Sequence, residues 1–386
     1  MEYNVHLYLL TTIGLTTLLW LGSSFWQPKL NQLTESKFFP QKDWFYFLLI
    51  GSISLLMFAA HACIYGFPLP TDGDEYCYLL MAKTFAEGRI TNPQHRLWQF
   101  FDNFHLLNEP TYTGKYPPAQ AAFLAIGILV FNHPIAGVWL SGALAAIACF
   151  WMLRAFFSQN WSLIGALLFL THPTIFGWNY GYFYGNVALI GGTLSIGALF
   201  RFIRTAKVKD AVVFAVGISL LANSRPYEGL LVCLPLAGVF LCWIIKHVGE
   251  SGFLRRSLYK FIVPASLVLL LNFFWMGYYN WRVTGNTLKM PYSLYTQQYD
   301  PVPLFLPLMS PPVPDQTFRD QMVEGFLKNN NNRNLIMKGF YINEIDVHYM
   351  DILSDLSTRS NNIVLFFLLQ RVLKNFMAFL HIPLAL

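Results

Sequence analysis

A series of apolar runs recurs along the chain, several of them longer than the about 20 residues that a helix needs to cross hydrocarbon. We place spans at Val5–Trp26, Trp44–Phe67, Ile135–Phe156, Trp161–Trp178, Gly185–Phe202, Ala211–Ser224, Tyr227–Ile245 and Leu258–Trp281. A β-barrel would instead show alternating strands of about ten residues, and none is seen. Only 12% of the 386 residues are charged, against 55% hydrophobic, about half the charged fraction of a soluble domain. The fold class is an all-α polytopic membrane protein.

The stretch Ala121–Phe131, AAFLAIGILVF, is apolar but short, which favours an interfacial or re-entrant helix over a crossing. Charge decides. If it does not cross, the loops holding Lys29, Lys37 and Lys42, then Arg154, then Arg201, Arg204, Lys207 and Lys209, then Lys246, Arg255, Arg256 and Lys260 share one side. The bias of basic loops makes that side the cytoplasm. A net charge of +6 distributed in this way sets orientation rather than binding nucleic acid. The first run lacks a basic leader and a cleavage site, so a retained first span is expected rather than a signal peptide. The end at Leu386, inside an apolar run, is expected to mark a fragment or an irregular last helix.

The polar stretch from Leu69 to Ala119 is too large to be a simple connector, and it is the expected working surface. DGDEYCYLLMAKTFAEG reads as a helix whose start can be capped by Asp72 and Glu75 and whose stop is Gly88. Asp74 has no capping duty and is the expected general base, with Glu75 as a second catalytic candidate. Lys115, ahead of the rigid Pro117–Pro118 pair, is a positioned cation for an anionic headgroup or else a snorkelling lysine. Arg225 offers a planar fork for phosphate oxygens, with Glu228 orienting it or simply pairing with it.

Trp178, Tyr180, Tyr182 and Tyr184 can stack on sugars or form an interfacial aromatic belt, and Asn179 and Asn186 are hydroxyl-binding candidates. Tyr116, Arg89 and His105 complete the substrate-binding set. His95 and His105, with Asp102 and Glu109 nearby, match no ligand spacing, so no metal residue is assigned. A divalent cofactor is left open. The five cysteines have no redox or metal spacing and read as small core residues. No phosphate loop or dinucleotide fingerprint occurs.

The order of GDEYCYLLMAKTFAEGRITNP, then KYPPAQAAFLAIGILVFNHPIAGVWLSGALAAIACFWML, then a basic turn resembles the C-type (GT-C) membrane glycosyltransferases. The likeness is to protein O-mannosyltransferases and aminoarabinose transferases in particular, and it covers roughly Leu69 to Gly229. Uncharacterised bacterial multi-spanning proteins resemble the chain further, through RPYEG and TGNTLKMPY. The resemblance implies a GT-C-like helical bundle with outer juxtamembrane helices. It also implies transfer of a sugar from a polyprenyl-phosphate donor to a glycan, lipid or protein hydroxyl, on the periplasmic face of the inner membrane. Asp74 matches the family's base and Lys115 the lysine that meets the lipid phosphate, whereas the next outer loop offers Asn179 and Asn186 where the family places an acid.

The expected layout is two helices in 1–67, a periplasmic juxtamembrane loop in 68–134 and a bundle of about six helices in 135–281. A periplasmic polar segment in 282–375, extended at first, and the start of a further span in 376–386 follow. The alternative is a non-catalytic membrane protein or a lipid-linked-sugar transporter on the same fold.

Overall fold

The computed structural model describes residues 42–98, 105–182, 185–250 and 253–299, all within the unit Leu30–Arg319. The expected Val5–Trp26 span, Asp102, Tyr184, the proline- and asparagine-rich tail, the Ile363–Lys374 helix and the chain end lie outside the described residues. Helix α1 (Asp43–Tyr65) stops at Gly66, whose positive φ of 81° and N–H bond to Ala62 O turn the chain out of the helix. A side chain would oppose that conformation. Helix α2 (Gly73–Ala86) begins at Asp72, whose carboxylate accepts the Asp74 N–H, and is closed by Gly88 at φ 75°. A small antiparallel sheet follows, of β1 (Asn92–Pro93), β2 (Leu106–Leu107) and β3 (Thr111–Gly114) in the order β1-β3-β2. Asn92 pairs with Tyr112 and Leu107 with Thr113.

Helix α3 (Ala119–Phe131) starts behind the double proline and ends at Asn132 in the left-handed region. Helix α4 (Pro134–Leu153) opens immediately after, capped by His133 Nδ1 accepting from the Ile135 N–H. The expected Trp161–Trp178 span is instead broken into α5 (Gln159–Thr171) and α6 (Pro173–Trp178). The cause is Pro173, which drives His172 out of the helical region to ψ 127° and lacks the N–H that would continue the ladder. The remaining helices are α7 (Gly185–Thr205), α8 (Val208–Ala222), α9 (Pro226–His247), α10 (Phe253–Thr284) and α11 (Pro291–Tyr299). Helix α11 stands where an extended chain was expected. Among the described residues, five helices are long and apolar enough to cross a membrane: α1, α4, α7, α9 and the part of α10 from Tyr259 on.

Side-chain contacts sort the helix ends into two groups. At one, Arg154 Nε meets Asp43 Oδ1 at 3.2 Å, and Arg201 and Arg204 donate to the Trp151 and Ala155 carbonyls at the end of α4. These arginines satisfy carbonyls that a helix C-terminus leaves open. At the other end, Phe67 packs on His133 and Trp139, Tyr180 Oη donates to Tyr65 O, and Asn186 reaches Ser141. Helix α8 runs antiparallel to α7, with Gly217 against Gly191 and Ser195, so Asn223 belongs to this second end. The Ala119 N–H donates to Asn223 O at 2.9 Å. Helix α3 therefore begins beside Asn223 and finishes beside Phe67, with both termini at the same end of the bundle.

That return depends on close backbone approach between α3 and α4. A Cβ on Gly137 would run into the Phe123 carbonyl, and one on Gly127 into the Gly137 amide. Outward faces of α1, α9 and α10 stay apolar and exposed, as at Leu48, Leu231 and Phe274. That is how helices look when their solvent is hydrocarbon rather than water. Cys77 and Cys149 are buried as expected of core residues, whereas Cys63 and Cys242 lie exposed on helices α1 and α9. Gly137→Val is expected to cost about 3 kcal/mol through overpacking and to lower the thermal unfolding midpoint of the solubilised protein. Leu230→Ala, on an exposed face, is expected to leave that midpoint near wild type.

Candidate functional site

Lys115 follows strand β3 directly. Its N–H donates to His105 O at 3.0 Å, and Pro117 and Pro118 stiffen the backbone behind it. The side chain is only 4% exposed. An ammonium taken from water without compensation costs several kcal/mol, and here three aromatic rings supply part of that compensation. Lys115 Nζ lies 4.3 Å from the Tyr295 ring centroid, 5.0 Å from Tyr292 and 5.3 Å from Tyr116. Cation–π contacts of this kind are worth about 0.5–2 kcal/mol each.

Lys115 lines a cavity of about 400 Å³, within the size range of small-molecule sites. Tyr78, Tyr116 and the double proline form one wall. The α8–α9 turn from Ala222 to Glu228 forms a second, and Met276, Tyr279 and Asn280 of α10 with Met290, Pro291 and Tyr292 form a third. Arg225 thus faces the same hollow as Lys115, although about a hundred residues separate them in sequence. Its guanidinium pairs with Glu228 at 2.5 Å, and the two side chains are 29% and 55% exposed. A pair this exposed contributes about 0–1 kcal/mol, so an entering phosphate can displace it.

Asp74 is not in the cavity lining. It stands behind Tyr116, whose hydroxyl donates to Asp74 Oδ1 at 2.5 Å, while His105 Nε2 lies 3.3 Å from the same oxygen. Burial, reinforced by the neighbouring Asp74 charge, pushes the Tyr116 phenol far above its ordinary range. The phenol therefore keeps its proton and serves as a donor. Gly73 makes room for the histidine, because a Cβ there would press on the His105 ring. Burial likewise pushes the Cys77 thiol up to about 12, which removes thiolate chemistry from this corner. Asp72, Asp74 and His105 bring ligand atoms within 4.8 Å of one another. A carboxylate–carboxylate–imidazole set of that kind can hold a divalent cation. The set joins the start of α2, which carries Asp72 and Asp74, to His105 in the turn just ahead of β2.

The remaining candidates are placed as follows. Glu75 is buried and fully engaged: Oε1 accepts from the Tyr182 N–H at 2.6 Å, and Oε2 from the Thr71 N–H and hydroxyl. It ties the start of α2 to the chain before α7, and it lies outside the cavity lining. Asn186 donates to Asn179 Oδ1 and toward Ser141, while Asn179 donates to Ile175 O. Both asparagines are buried between α4, α6 and α7, outside the cavity lining. Tyr180 packs on His61 and bonds Tyr65 O, and Arg89 pairs with Glu87 at an exposed site. Neither lines the cavity. Residues that the sequence reading missed are Tyr292 and Tyr295, together with Tyr279, Asn223 and Asn280. The spacing of Tyr292, Tyr295 and Tyr299 puts all three on one helical face, a signal obscured by the prolines that follow.

Comparison of the chain with protein-family models, with curated proteins and with solved structures finds no match. What the described residues define is a mostly helical fold with five helices long and apolar enough to cross a membrane and a cavity, lined by a lysine and an arginine, at one end of its bundle. Glu75→Ala is expected to destabilise the fold by about 2–4 kcal/mol, because buried donors lose a charged acceptor. Denaturation in detergent would measure the loss, and an unchanged midpoint would show that those bonds carry little.

Proposed function

We propose that the chain is a GT-C-like membrane glycosyltransferase that moves a sugar from a polyprenyl-phosphate donor to an acceptor hydroxyl. The observation that carries this reading is that Lys115 and Arg225 line one and the same cavity, with Tyr116 linking its wall to the Asp74 carboxylate. The lipid phosphate would lie between the ammonium and the guanidinium, with Arg225 exchanging Glu228 for a bidentate phosphate contact. The sugar would extend past Tyr116 toward Asp74. An acceptor hydroxyl then attacks the anomeric carbon, its proton passes to Asp74, and the bond from that carbon to the phosphate oxygen breaks with inversion. Charge grows on the departing phosphate in that transition state, and the two cations stabilise it. Holding both reactants at one site supplies the orientation term.

The bundle end that carries Arg154, Arg201, Arg204, Lys207, Lys209 and Lys246 is assigned to the cytoplasm by its basic loops. The cavity then opens on the periplasmic side of the inner membrane, where a glycan, lipid or protein acceptor is met. If Asp72, Asp74 and His105 hold a divalent ion, it would supply Lewis-acid assistance beside the acceptor.

The test is transfer of radiolabelled sugar from defined polyprenyl-phosphate donors by membranes containing the protein. Asp74→Asn is expected to lower turnover by about 10²–10⁴-fold, and Lys115→Met to raise the donor KM as well as slow the reaction. An Asp74→Asn variant as active as wild type would remove Asp74 as the base. If no donor is consumed, a non-catalytic or transporting role takes precedence.

A further inference from the structure

Helix α11 has no place in the reaction as drawn, yet it supplies two of the three rings around Lys115. It follows α10 through a turn at Gly285, where φ is 77°. It is fastened to the polar loop by two bonds: the His105 N–H donates to Tyr295 Oη at 3.1 Å, and Gln298 Nε2 donates to Glu109 O. Tyr292 lines the cavity itself. Tyr295 lies nearest the ammonium and also stacks toward the His105 ring, which in turn faces Asp74. One short helix therefore touches both the lysine and the histidine beside the acid.

Aromatic rings hold a cation differently from a carboxylate. The ring face attracts the ammonium through its quadrupole but has no net charge. Rings at 4.3, 5.0 and 5.3 Å border the Lys115 ammonium and restrict where it can sit. A lysine also has a flexible four-carbon stem, so without such walls its head would sample several positions. We infer that Tyr292 and Tyr295 are positioning residues that box the Lys115 ammonium against Tyr116 and aim it at the phosphate of a lipid-linked ligand. This inference rests on the reading that Lys115 meets a lipid phosphate. It extends that reading by making phosphate recognition depend on α11, an element outside the lysine's own loop.

The test compares binding of a long-chain polyprenyl monophosphate with binding of the corresponding polyprenol, using the full chain in lipid nanodiscs. Tyr292→Leu and Tyr295→Leu are each expected to weaken phosphate binding by about 3- to 30-fold, the range that loss of one ring implies. Polyprenol binding should stay unchanged. Tyr292→Phe keeps the ring and should bind within about 2-fold of wild type. In a Lys115→Met background, Tyr292→Leu should have no further effect, which a merely structural role would not produce. Should the leucine variants fail to fold, progressively fluorinated phenylalanines at position 292 keep the shape while draining the ring face, and binding should fall with each fluorine.

Phosphate preference retained in the leucine variants, additivity with Lys115→Met, or indifference to fluorination would overturn the inference while leaving the phosphate reading intact. Wild-type protein that binds the alcohol as well as the phosphate would overturn the phosphate reading, and this inference with it.

Discussion

Length is the constraint on which the arrangement depends. The 13 residues of α3 rise about 20 Å, short of the roughly 30 Å of hydrocarbon that a spanning helix must cover. The helix is nevertheless strongly apolar and must bury its sides. It does so by doubling back on α4 through the left-handed turn at Asn132, with Gly127 and Gly137 admitting close backbone contact. Its start is fastened to the α8–α9 turn through Ala119 and Asn223. As a result, the lysine just before α3 and the arginine just after α8 come to face one hollow.

The charges around that hollow are treated unequally. Glu75 is buried with three donors and is committed to the fold. Arg225 and Glu228 form an exposed pair of little energetic weight, and the guanidinium can be redirected. Lys115 is buried, with three aromatic rings bordering its ammonium. Asp74 is reached through Tyr116 and flanked by His105. Groups that are rigid and satisfied support the fold, and those that are weakly held or boxed by uncharged rings are suited to meet a ligand.

Much of the bundle was legible in the sequence, because hydropathy over a span length reports burial in hydrocarbon directly. The boundaries of α1, α4, α7 and α9 lie close to the apolar runs. The break at Pro173 was visible as a proline but was overridden by the apolar content around it. Helix α11 was missed because its stripe is tyrosine rather than aliphatic and the prolines beyond it read as extended chain. Within the site, chain order drew attention to Asp74, Lys115 and Arg225, but no spacing rule could reveal that Asp74 sits behind Tyr116. Glu75, Asn179 and Asn186 stand out in the sequence because a polar residue in an apolar setting has two explanations, a structural bond or a ligand contact. The bonds that Glu75 and Asn179 make are visible only in three dimensions.

The most direct measurement is of sidedness at the two ends of α3. Glu109→Cys and Asn132→Cys, each in a background with the exposed Cys63 and Cys242 replaced, would be labelled with a membrane-impermeant maleimide, beside Lys207→Cys as the marker of the opposite end. The account requires Glu109→Cys and Asn132→Cys to react from the same side and Lys207→Cys only from the other. Labelling of Asn132→Cys together with Lys207→Cys would mean that α3 crosses, and the shared hollow would not exist.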